Sequence, residues 1–75
     1  MAMDLPRILG RNVRAARLRA GLSQEQLAFE AQMKRSYVSD LERGTRNPSV
    51  KAIGRLAAAL NVAPAELLMA ADEGP

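Results

Sequence analysis

The 75-residue sequence contains no cysteine, no histidine and no tryptophan, and has a single tyrosine (Tyr37) and a single phenylalanine (Phe29). Without cysteine there is no disulfide scaffold, thiolate metal site or cysteine nucleophile. Without histidine the commonest metal ligand and the commonest general base are missing. No cofactor, metal or small-molecule ligand is expected. No apolar run approaches the roughly 20 residues of a membrane-spanning helix, so no membrane partner is expected. The opening Met-Ala-Met-Asp lacks the basic-then-apolar order of a secretory signal, which points to the cytoplasm. A chain this short, 48% apolar, is expected to form one domain over residues 1–75, with an ordered core from about 6 to 71 and frayed ends.

What is present is unevenly placed. Residues 1–55 carry all eleven basic residues and five acids; residues 56–75 carry three acids and no base. Nine of the eleven bases are arginine. A basic body joined to an acidic end fits a polyanion-binding face with another use for the tail.

Valine and isoleucine are few and no alternating period-2 run occurs, so the chain reads as all-α, with five helices. The first spans about Pro6 to Ala20, with Leu9, Val13 and Ala16 inward and Arg7, Arg11 and Arg14 as a basic ridge. Gly21 suits a left-handed stop. The second starts at Ser23, which with Gln26 makes a capping-box pattern; Leu27, Ala28 and Ala31 form its apolar stripe. After a break at Gln32–Lys34, the third runs from about Arg35 to Arg43, with Val38 and Leu41 inward and Gly44 as its stop. Asn47-Pro48 marks a loop. Ser49 caps a fourth helix, about Val50 to Leu60, packed through Ile53, Leu56, Ala57 and Leu60, and Asn61 ends it. Pro64 opens a fifth, to about Ala71.

The stretch Gln24–Arg43 holds two short helices joined by a turn too short for them to run antiparallel, so the second must cross the first steeply, as in a helix-turn-helix. Ala28 falls where the helices approach closest. Leu27, Ala31 and Met33 pack beneath the turn. The opposite face of the second helix stays polar, with Arg35, Ser36, Ser39, Asp40 and Arg43, and Tyr37 beside them. A helix this size fits a major groove about 12 Å wide and meets base edges there.

The runs Gly21-Leu22-Ser23-Gln24-Glu25-Gln26-Leu27-Ala28, Arg35-Ser36-Tyr37-Val38-Ser39-Asp40-Leu41-Glu42-Arg43-Gly44 and Arg46-Asn47-Pro48-Ser49 resemble the helix-turn-helix family of phage λ repressor and Cro, often called the XRE family. The resemblance covers about residues 7–69 and rests on the fragments in combination. It implies a five-helix λ repressor-like domain, binding to double-stranded DNA, and a homodimer on a palindromic operator with half-sites about 34 Å apart. Among stand-alone members, the short chain looks most like a restriction–modification controller protein.

The resemblance also assigns roles. Arg35, Ser36 and Ser39 match base-reading positions; Arg35 stands out because a guanidinium pairs bidentately with guanine O6 and N7. Asp40 either accepts from cytosine N4 or holds Arg35 or Arg43 in place. Tyr37 meets a phosphate or a base methyl, in preference to packing its ring against the helix flank. Gln24, at a helix N-terminus, matches a phosphate-gripping position, as do Arg43, Arg46 and Asn47. Lys34 and Lys51 add phosphate-directed charge. Arg17 and Glu42 match a partly buried ion pair tying the first helix to the third. Leu67, Leu68 and Met69 are the expected dimer interface, with Leu67 also able to close the monomer core.

Three residues depart from the family pattern: Gln32 where a small or left-handed residue is usual, Lys34 in place of a capping Ser or Thr, and Ala63 in place of a cap before Pro64. A β-carbon at positive φ costs on the order of 1 kcal/mol. An enzyme is disfavoured, since Ser36 and Ser39 have no His beside them. The serious alternative is a module that uses the same fold to bind a protein, such as an antitoxin.

Overall fold

The computed structural model describes residues 4–70. Among them are five helices and no strand: α1 (Leu5–Arg19), α2 (Gln24–Ala31), α3 (Arg35–Glu42), α4 (Val50–Leu60) and α5 (Pro64–Leu67). Helix α3 crosses both α1 and α2, α4 packs on α2, and α5 closes the end against α1 and α4.

Local chemistry sets the helix ends. Asp4 caps α1 by accepting the Arg7 N–H at 3.2 Å, so that helix starts one residue before the expected Pro6 and ends at Arg19 rather than Ala20. Ser23 and Gln26 form the reciprocal capping box: the Gln26 N–H donates to the Ser23 hydroxyl at 3.0 Å, and the Ser23 N–H to the Gln26 amide oxygen at 2.7 Å. Ser49 caps α4 through the Ala52 N–H at 3.0 Å. Gln32 and Asn61 adopt left-handed backbone, with φ of 59° and 58°, to end α2 and α4.

The strain at Gln32 is met by a residue that sequence reading counted simply as basic. Arg55, on α4, donates its Nε to the Ala31 carbonyl at 3.1 Å and an Nη to the Gln32 carbonyl at 3.3 Å. Those are acceptors the end of α2 leaves without helical partners. The Met33 N–H adds a 2.8 Å bond back to Ala28. The turn therefore holds its shape without glycine. Lys34 and Ala63 make no side-chain cap, as the sequence implied.

The fifth helix is shorter than expected. It ends at Leu67 because the Asn12 side chain donates to both the Leu67 and the Met69 carbonyls at 2.8 Å, satisfying groups that a longer helix would bond internally. Ala71, the expected end, and the expected frayed stretch 72–75 lie outside the described residues.

The core comprises Leu9, Val13, Ala16, Leu27, Ala28, Ala31, Val38, Leu41, Leu56, Ala57, Leu60 and Leu67, with Met33, Ile53 and Tyr37 packed at its margin. Gly10 explains how closely α1 and α3 approach. A β-carbon there would lie 2.4 Å from the Leu41 carbonyl oxygen and 2.8 Å from that of Glu42. The backbone of α1 thus rests on the last turn of α3, fixing the tilt at which α3 presents its outer face.

Candidate nucleic-acid interface

Helix α3 is anchored from beneath by Val38 and Leu41, both buried. At its C-terminal end Glu42 is tied to two other helices. Arg17 of α1 donates its Nε to Glu42 Oε2 at 2.6 Å and an Nη to Oε1 at 3.1 Å. Its remaining Nη donates to the Leu22 carbonyl at 2.9 Å. Gln24, at the start of α2, donates its amide to Glu42 Oε1 at 3.1 Å. The side chains of Arg17 and Glu42 are 10% and 4% exposed. The hydrogen bond to the Glu42 carboxylate raises the Arg17 pKa above its already high ordinary value, and the opposing effect of burial is outweighed. The buried charge is therefore fully partnered. Gln24 joins this network as well as standing at a helix N-terminus, a link the sequence reading did not make.

The outer face of α3 is arranged differently. Arg35 and Ser36, at its first turn, are exposed and make no side-chain hydrogen bond or ion pair among the described residues. Lys34 precedes them and is also exposed. One turn later Arg43 donates to the Ser39 hydroxyl at 3.2 Å and also to Asp40 Oδ1. Arg46, in the following loop, donates to Asp40 Oδ2 at 3.4 Å, and its guanidinium lies 5.1 Å from the centre of the Tyr37 ring. Asp40 thus pairs with Arg43 and Arg46 and not with Arg35. Tyr37 is half-buried and packed against the core, so its ring serves as a platform for Arg46. Asn47 and Lys51 are exposed beyond Arg46. A groove of about 360 Å³ between the starts of α3 and α4 is lined by Lys34, Ser36, Tyr37, Arg46 and Ser49, among others.

The three residues expected at a dimer contact separate. Leu67 is 1% exposed and belongs to the monomer core, because Asn12 draws α5 onto α1; its side chain has no surface to give to a partner, which corrects that assignment. Leu68 and Met69 are 40% and 62% exposed. No group of three or more His, Cys, Asp or Glu that could hold a metal occurs among the described residues. No helix of these residues is long and apolar enough to cross a membrane.

Known proteins are similar to this chain in sequence and fold. A helix-turn-helix family matches residues 13–67. The control protein C.BamHI of Bacillus amyloliquefaciens is 45% identical over 69 residues, 91% of this chain and 85% of that one. The crystal structure of the restriction-modification controller protein C.AhdI from Aeromonas hydrophila superposes with a TM-score of 0.80 at 47% identity, over 83% of this chain and 94% of that one. The controller protein C.Esp1396I, crystallised as a tetramer in complex with its natural 35-base-pair operator, matches with a TM-score of 0.79 at 27% identity, over 88% of this chain and 87% of that one.

Proposed function

The chain belongs to the helix-turn-helix family, and from that premise we propose that it is a transcriptional regulator that binds a palindromic operator in double-stranded DNA as a homodimer. The observation that carries this is the outer face of α3: buried side chains on one side fix it, while Arg35 and Ser36 stand exposed and unengaged on the other. In this reading α3 enters the major groove. Arg35 reads guanine, and Ser36 and Ser39 add hydrogen bonds to neighbouring edges. Lys34, Arg43, Arg46, Asn47 and Lys51 contact phosphates, and Gln24 does so from the start of α2. Leu68 and Met69 supply apolar contact between the two copies. The likeness to C.BamHI and C.AhdI favours a restriction–modification controller among regulators of this size. The reading makes the protein a cytoplasmic, non-enzymatic one-domain binder that works without cofactor or metal.

The test is selection of DNA fragments from the source genome, followed by binding of the selected and an arbitrary duplex across a salt series. Expected are a selected inverted repeat, tighter binding to it than to arbitrary DNA, and affinity that falls as salt rises. Absence of any salt-dependent DNA binding overturns the reading in favour of a protein-interaction module.

A further inference from the structure

We infer that Asp40 is an internal competitor for the phosphate-directed arginines, lowering affinity for arbitrary DNA more than for the operator and so setting specificity without reading a base. This rests on the DNA-binding reading above.

Three observations place the carboxylate in that role. Its two oxygens are divided between two cations, Oδ1 with Arg43 and Oδ2 with Arg46. Both guanidiniums stay accessible, with side chains 64% and 50% exposed against 28% for Asp40. The backbone that carries Asp40 is also tied to the loop after α3. The Thr45 N–H and hydroxyl both donate to the Asp40 carbonyl, at 3.1 and 2.9 Å, which fastens the loop carrying Arg46 back onto α3. Stacking on Tyr37 limits the travel of Arg46 further.

A fixed negative charge between two cations on a DNA-facing surface acts unequally on two kinds of complex. Binding to arbitrary DNA rests on neutralising phosphates and releasing counterions, so partial neutralisation of Arg43 and Arg46 weakens it directly. In the operator complex the register is set by base contacts. A guanidinium has five N–H donors, so one held by Asp40 keeps others for a phosphate, and its orientation is already fixed. The loss of charge is there offset by preorganisation. An asparagine at position 40 keeps the size and one acceptor but removes the charge.

The experiment compares the full chain with Asp40→Asn and Asp40→Glu, measuring anisotropy with labelled selected operator and with an arbitrary duplex across a salt series, after matched thermal unfolding. For Asp40→Asn, arbitrary-DNA affinity is expected to rise about threefold to tenfold and its log–log salt slope to steepen by about one unit. Operator affinity changes less, so the specificity ratio falls. Asp40→Glu, which keeps the charge, returns arbitrary-DNA binding toward the parent value. Unchanged or weaker arbitrary-DNA binding by Asp40→Asn overturns the inference. So does an equal rise on both duplexes, a plain net-charge effect, or a changed preference at one base pair, which marks Asp40 as a base reader. Absence of salt-dependent DNA binding by the parent chain fails the functional reading instead, a separate result.

Discussion

Two carboxylates on α3, Asp40 and Glu42, each gather several nitrogen donors, yet they sit in opposite surroundings. Glu42 is 4% exposed and accepts from Arg17 and Gln24 on two other helices. Asp40 is 28% exposed and accepts from Arg43 and Arg46, which follow it closely in the chain. The first cluster spans 25 residues of sequence and joins α1, α2 and α3. The second is local and open to water. The same pair of functional groups is thus framework where it is desolvated and working surface where it is not. Burial makes the difference, since desolvation multiplies the consequence of losing a partner while solvent screens it away.

The largest effect is expected at Glu42. Glu42→Ala leaves the Arg17 guanidinium buried without its carboxylate and is expected to destabilise the fold by about 3–5 kcal/mol in urea denaturation. The double variant Arg17→Met with Glu42→Leu is expected to lose much less, because no charge is stranded. A double variant whose loss equalled the sum of the two single-variant losses would show that the pair does not act as a unit. A smaller but still severe effect is expected at Gly10. An added β-carbon meets backbone oxygens rather than a movable side-chain end, so Gly10→Ala must shift α1 against α3, costing about 1–3 kcal/mol. Thermal unfolding of Gly10→Ala that matched the parent would mean that the α1–α3 contact does not bar a β-carbon at this position.

The helices were legible in the sequence because their signals are local or periodic. The Leu9–Val13–Ala16 stripe, the Ser23–Gln26 capping box and the left-handed stop at Asn61 need only nearby residues. The pairing of Arg17 with Glu42 came from resemblance, not from spacing. What stayed illegible depends on contacts between distant segments. Asn12 ends α5 from 55 residues away, and Arg55 holds the Gln32 turn from across α4. Neither residue type advertises such a task; a glycine inside α1 at Gly10 was a signal that could have been read as close helix approach. On the outer face, the sequence placed these residues near one another but not their internal pairing, since the loop that returns Arg46 to Asp40 is set by the Thr45 hydrogen bonds.

On the exposed face, two arginines are expected to differ in what they contribute. Arg35→Ala is expected to relax preference at one base pair of the operator, with a loss of about 1–3 kcal/mol on that sequence. Arg46→Ala is expected to weaken binding similarly on all sequences and reduce the salt slope by about one unit. Both are read by anisotropy against operator variants with single substitutions. Unchanged base preference in Arg35→Ala would mean that α3 does not read the groove through its first turn.

The smallest effect divides the two carboxylates most cleanly. An exposed ion pair contributes under about 1 kcal/mol to stability and is screened by salt, whereas a desolvated one is largely shielded from ions. The Debye length falls from about 10 Å at 0.1 M to about 3 Å at 1 M salt. Double-mutant cycles for Asp40 with Arg43 and for Glu42 with Arg17, run in urea at both salt concentrations, are therefore expected to diverge. The Asp40–Arg43 coupling should fall toward zero at high salt, while the Glu42–Arg17 coupling should keep most of its value. Because the cycle subtracts each single substitution's general effect, the salt-sensitive remainder reports the pair itself. Persistence of the Asp40–Arg43 coupling at 1 M salt would make that pair part of the framework, and Arg43 would then be unavailable to a phosphate without loosening the end of α3.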